Sequence, residues 1–165
     1  MIYRLPLPMY KRKSKSVRCV RNETKVSVSE NGKVFRAIIE GDCHPERIHI
    51  DADPYRTQLE RRCDYAIRIC PMSPKTFFFV ELKGDDVRYA VEQMAYTVEK
   101  LQSLFEPYAV REACAIVSSR TMKPAVNTRI QICLARLKKY KFNLKCKTRQ
   151  LIAGVGRDGG VSYMD

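Results

Sequence analysis

Two neighbouring stretches decide how this chain folds: Cys63-Asp64-Tyr65-Ala66-Ile67-Arg68-Ile69 and Thr76-Phe77-Phe78-Phe79-Val80-Glu81-Leu82-Lys83-Gly84-Asp85-Asp86. The first alternates apolar with polar residues, the period of a strand. Pro71-Met72-Ser73-Pro74 breaks it, because proline lacks the amide hydrogen a ladder needs. The second is aromatic and β-branched from Thr76 to Leu82, which suits a strand buried on both faces. Lys83-Gly84-Asp85-Asp86 ends that strand and places an aspartate where a helix N-cap is wanted.

Outward from this centre the pattern stays legible. Val87, Ala90, Val91, Met94, Ala95, Val98 and Leu101 form one apolar stripe, predicting a helix from about Val87 to Phe105 that Pro107 stops. Ala113 to Val117 reads as a buried strand. A second helix is predicted from near Pro124, with Val126, Ile130, Cys133, Leu134 and Leu137 inward and Arg129, Arg136, Lys138 and Lys139 outward. Lys141 to Lys147 alternates as an edge strand would. Upstream, Thr24 to Ser29 and Val34 to Ile39 alternate on either side of Asn31-Gly32, a strong hairpin signal. A short strand is expected at Arg47 to Ile50, before a turn at Asp51-Ala52-Asp53-Pro54. The glycine-rich end, Gly154 to Gly160, reads as a loose segment, without the strand, helix and lysine of a phosphate-cradling loop. The expectation is an α/β fold: a mixed central sheet flanked by helices, with an N-terminal β-hairpin. Residues 1–21, with Lys11-Arg12-Lys13-Ser14-Lys15, read as a basic arm, and 22–165 as one domain.

Thirty-one Lys and Arg against eighteen Asp and Glu give a net charge of +13 over 165 residues. Such an excess repels itself in a compact state, and a polyanionic partner is the usual reason to carry it. The cations are spread along the chain rather than gathered on one amphipathic helix, which favours nucleic acid over a membrane surface. No apolar run approaches the roughly 20 residues of a membrane span, and the N-terminus lacks a secretory signal core. The expectation is a soluble, cytoplasmic protein. Seven cysteines, an odd number without a CxxC pair, argue for reduced and mostly buried thiols. Cys43-His44 with His49 and Cys63 matches no zinc module.

The chemistry is concentrated where the two opening stretches meet. If they form an antiparallel hairpin, Asp64 at the start of one comes beside Glu81 at the end of the other. Glu81 and Lys83 are two apart and so share a face. Charges beside a buried sheet are costly unless paired or bound to a metal. Two convergent carboxylates are hard oxygen ligands of the kind Mg2+ takes, with Mn2+ as a substitute. A bound metal activates water and stabilises charge on phosphate, and a nearby lysine adds to that stabilisation. The competing explanation is an ion-pair cluster at the sheet rim.

Asp64, Phe79-Val80-Glu81-Leu82-Lys83-Gly84 and Ala90-Val91-Glu92-Gln93-Met94 together resemble the PD-(D/E)xK nuclease superfamily, with its restriction-endonuclease-like αβββαβ core. The resemblance covers about residues 60 to 120. It implies a metal-dependent nuclease in which Asp64 and Glu81 hold Mg2+, Lys83 is the catalytic lysine, and Gln93 on the following helix supports water or substrate phosphate. It makes DNA the expected substrate, and cutting both strands would call for a homodimer. Cys63 stands where many members have proline. Many members also add an upstream glutamate, for which Glu40, Glu60, Asp51 and Asp53 are the available acids. The alternative is a non-catalytic nucleic-acid-binding or adaptor protein on the same fold.

Overall fold

The computed structural model describes residues 17–19, 24–41, 43–52, 55, 59–70, 75–82, 84–118 and 128–164. Of the basic arm, Val17–Cys19 is described and is a strand. Residues 1–16, 20 and 21 lie outside the described residues, as do Asp53, Pro54, Pro124 and Val126.

Among the described residues these elements follow in chain order: β1 (Val17–Cys19), β2 (Lys25–Glu30), β3 (Lys33–Ile39), β4 (His44–His49), β5 (Tyr65–Cys70), β6 (Thr76–Glu81), α1 (Val87–Lys100), α2 (Gln102–Phe105), β7 (Val110–Val117), α3 (Thr128–Lys139), β8 (Asn143–Thr148), β9 (Gln150–Val155) and β10 (Val161–Met164). They form a six-stranded central sheet in the order β1-β4-β5-β6-β7-β8 and a four-stranded sheet in the order β10-β9-β3-β2. The central sheet is mixed. β4, β5 and β6 are antiparallel neighbours, while β6, β7 and β8 run parallel. Parallel neighbours need crossover connections, and α1 and α3 lie in the chain where those two crossovers fall.

β6 is the axis of the molecule, buried at every position. Alternation divides its side chains between two cores. Phe77 and Phe79 join α1, α2 and Phe142 on one face of the central sheet. Phe78, Val80 and Leu82 pack against β2, β3 and β9 of the second sheet on the other. The result is three layers, helices on sheet on sheet, each stacked on an apolar face it cannot leave in water. On the helix side the rings of Phe77 and Phe79 meet edge to face at 4.8 Å, and Phe79 stacks on Phe142 at 5.5 Å. Across the other core, Phe35 meets Phe78 at 5.3 Å.

The α/β architecture with a mixed central sheet and helices follows the sequence expectation. So does the N-terminal hairpin: Asn31 (φ 49°) and Gly32 (φ 74°) are both left-handed, as the tight turn between β2 and β3 requires. Two expectations are corrected. The helix predicted from Val87 to Phe105 is two pieces, because Leu101 leaves helical geometry (φ −112°, ψ 40°). The break aims Leu104 and Phe105 into the aromatic core while keeping a helical spacing, so periodicity does not reveal it. The glycine-rich end is not loose. β9 pairs parallel to β3 and buries Leu151, Ala153 and Val155, and β10 folds back on β9. The turn between them is closed by Gly159 N–H to Gly156 O and by Gly160 N–H to the Asp158 carboxyl, and Thr76 Oγ1 donates to Gly159 O at 2.8 Å. Tyr163 on β10 donates to buried Glu112 on β7 at 2.7 Å, and Asn143 on β8 donates to the other oxygen at 2.9 Å. Burial above all raises the Tyr163 hydroxyl far above its ordinary range, which keeps it a donor.

The aromatic core yields a stability prediction. Phe79→Ala should cost about 3–5 kcal/mol, read as a lower midpoint in urea denaturation. A loss below about 1 kcal/mol would contradict the central place given to β6.

Candidate metal and catalytic site

Tyr65 pairs with Val80 across β5 and β6, and the same register carried one residue further sets Asp64 opposite Glu81. Both fall on the face that carries Ala66, Phe77 and Phe79, the face covered by α1. Directly opposed residues share a face at roughly 5 Å between Cβ atoms, so the hairpin sets the Asp64 and Glu81 side chains side by side on that face. Asp64 is 2% exposed and Glu81 1%.

The backbone at the end of β6 fixes Asp64, since Leu82 N–H donates to Asp64 Oδ2 at 2.6 Å. A clamp from α1 holds the residue before it. Cys63 N–H donates to Thr97 Oγ1 at 2.8 Å, and Thr97 in turn donates to Gln93 O at 2.8 Å. One buried hydroxyl therefore ties the segment entering β5 to the helix. On the far side of Glu81, Ala115 of β7 is its register partner, a small side chain that leaves room beside the acids.

Gln93 lies among the buried residues of α1 at 9% exposure. Among the described residues its Oε1 has no hydrogen-bond partner. A buried amide oxygen left so is costly, and its place on the covered side of α1, one turn from Thr97, suits a residue kept to meet water or a ligand. Lys83 lies outside the described residues. Glu40 and Glu60 are exposed. The Asp51 carboxyl is held by Arg62 at 2.6 Å, although its amide donates to Asp64 O at 3.3 Å. Asp53 is outside the described residues.

Cys63 and Thr97 are the residues that sequence reasoning missed. Burial first, then the charges of Glu81 and Asp64, push the Cys63 thiol well above its ordinary value, so it stays a thiol between two acids. Thr97 carried one signal: a polar residue one turn beyond Gln93 on the apolar side of a helix. Among the described residues no group of three or more His, Cys, Asp and Glu is placed to hold a metal, so the zinc arrangement of Cys43, His44, His49 and Cys63 is not formed there. Two carboxyls remain as the donor set at Asp64 and Glu81. That set fits a hard cation that keeps most of its waters, as Mg2+ does.

Protein-family models, curated proteins and solved structures contain no match to this chain.

The clamp can be tested without any assay of activity. Thr97→Val keeps the shape but leaves the buried Cys63 N–H without an acceptor, so it should cost ~1–3 kcal/mol. It should also speed hydrogen exchange at the Cys63 amide. Unchanged stability and exchange would show that Thr97 does not position the segment carrying Asp64.

Proposed function

We propose that this protein is a metal-dependent nuclease, with DNA as its substrate. The observation that carries the reading is the pair of buried carboxyl groups, Asp64 and Glu81, opposed in register on the helix-covered face of the central sheet. Burying two acids side by side is costly, and a divalent cation between them offsets that cost. Mg2+ held by Asp64 and Glu81 would supply Lewis-acid stabilisation of charge on a phosphate and lower the pKa of a water. Mn2+ would substitute.

The chain's own residues supply the rest. Lys83, two residues beyond Glu81, would neutralise charge building on the phosphate in the transition state. Gln93 would orient water or a phosphate oxygen through its side-chain amide. The order β4-β5-β6, α1, β7 is the βββαβ part of the core that the PD-(D/E)xK resemblance implies, whereas among the described residues strands rather than its first helix precede β4. The net charge of +13 suits a polyanionic substrate. Among the described residues no helix is long and apolar enough to cross a membrane. Cys43, Cys63, Cys70, Cys114, Cys133 and Cys146, six of the seven cysteines, are free thiols. We therefore place the protein in the reducing cytoplasm. Cutting both strands of a duplex would engage a homodimer, one site for each strand.

The test is cleavage of labelled linear, circular and single-stranded DNA with and without Mg2+. Glu81→Ala and Lys83→Ala should each cut ~100-fold to ~1,000-fold more slowly while still binding DNA, and Gln93→Ala should lose less. If the wild-type protein cuts and both variants cut as fast, the active site lies elsewhere. If the wild-type protein binds but never cuts with Mg2+ or Mn2+, the non-catalytic alternative holds.

A further inference from the structure

A pocket of about 440 Å3 opens on the outer side of α1 and α3, lined by Arg61, Glu92, Tyr96, Arg129, Ile132 and Arg136 among others. That volume is within the range of small-ligand sites, roughly 300–1,000 Å3. Its composition is two-part. Arg129, Ile132 and Arg136 stand on one stripe of α3, with the two arginines two helical turns and about 10 Å apart along the axis. Ile132 is 55% exposed and Arg129 60% exposed, so an apolar surface lies open to solvent between two guanidinium groups. α3 carries four cations and no acid.

The acids that face these arginines come from α1. Glu92 Oε2 accepts from Arg129 at 2.8 Å and from Arg61 at 3.3 Å, and Glu99 pairs with Arg136 at 3.1 Å. The Arg61 and Arg129 side chains stay about half exposed within these pairs, and a guanidinium group recognises phosphate well. The pocket and the acid pair share the elements that carry them. Glu92 precedes Gln93 on α1, and Arg61 lies three residues before Asp64, on the segment that Thr97 clamps to the helix.

We propose that this pocket receives one nucleotide of a single-stranded stretch of nucleic acid. Its base lies against Ile132 and Tyr96, and its flanking phosphates take Arg61, Arg129 and Arg136 from Glu92 and Glu99. A concave site with an apolar floor fits an unstacked base, whereas a duplex offers mainly its phosphate backbone. The polymer as occupant rests on the nuclease reading; the pocket's affinity for a base flanked by phosphate does not. Glu92 is then the internal competitor for the substrate.

The experiment is fluorescence anisotropy of a labelled oligothymidylate with the full-length protein in EDTA, so that cutting does not enter. Arg129→Ala/Arg136→Ala should weaken binding about tenfold and lower the log–log salt slope by ~1.4, two single-strand phosphate contacts at ~0.7 each. Ile132→Asp, at an exposed position, should weaken binding with an unchanged melting temperature. Glu92→Gln should tighten binding several-fold. Duplex of the same length should respond less than the single strand. Unchanged affinity and slope in the double arginine variant would overturn the proposal, as would a Glu92→Gln variant that melts earlier without binding more tightly. Saturation by AMP at concentrations where the oligonucleotide does not bind would make the occupant a free nucleotide and overturn it too. Oligonucleotide binding that follows these substitutions in a protein that never cuts with Mg2+ would support the pocket and sink the nuclease reading alone.

Discussion

Two carboxyl groups held together under a helix are the constraint on which the rest of this structure turns. A buried acid is tolerated where hydrogen bonds or opposite charge receive it, and two neighbouring acids need more of the same. The fold concentrates its means there. Leu82 N–H meets Asp64, Thr97 fixes the entry to β5 through Cys63, and Ala115 keeps the neighbouring strand thin beside Glu81. These contacts hold because β6 is immobilised between two cores. Phe77 and Phe79 lock it to the helices, and Phe78 and Val80 lock it to the second sheet. The aromatic packing far from the acids thus contributes to their geometry.

Much of this was legible in the sequence because the site interrupts strong patterns. The apolar run Phe77-Phe78-Phe79-Val80 just before Glu81 marks β6, and the Asn31-Gly32 turn marks the hairpin of β2 and β3. The stripe from Val87 to Val98 marks α1, and Gln93 lies beside that stripe rather than opposite it. What was illegible depends on partners distant in the chain. β9 has a glycine and few large side chains, and becomes a strand by pairing in parallel with β3, more than a hundred residues earlier. Nothing local announces that pairing. The same holds for the Cys63 amide, since every residue has one and only the placement of Thr97 makes this one a clamp. Leu101 breaks its helix for the sake of the aromatic core, a tertiary demand that periodicity does not carry.

α1 links the two regions to which function is assigned. Its inner side brings Gln93 and Thr97 to the segment of Asp64, while its outer side brings Glu92 and Tyr96 to α3. Neighbouring residues on a helix point about 100° apart, so one rigid element can turn Gln93 toward the segment of Asp64 and Glu92 toward α3. On the proposed reading, holding both on one helix would fix the distance between a bound nucleotide and the acids without a moving part. The excess of cations elsewhere would supply long-range attraction to the proposed polyanion.

The central claim is that Asp64 and Glu81 together hold a divalent cation, and anomalous diffraction from crystals soaked in Mn2+ tests it most directly. The account predicts a single strong anomalous peak between the two carboxyl groups, absent from crystals of an Asp64→Ala/Glu81→Ala variant. No peak between them at saturating Mn2+, or a peak at another place that survives the double substitution, would contradict it.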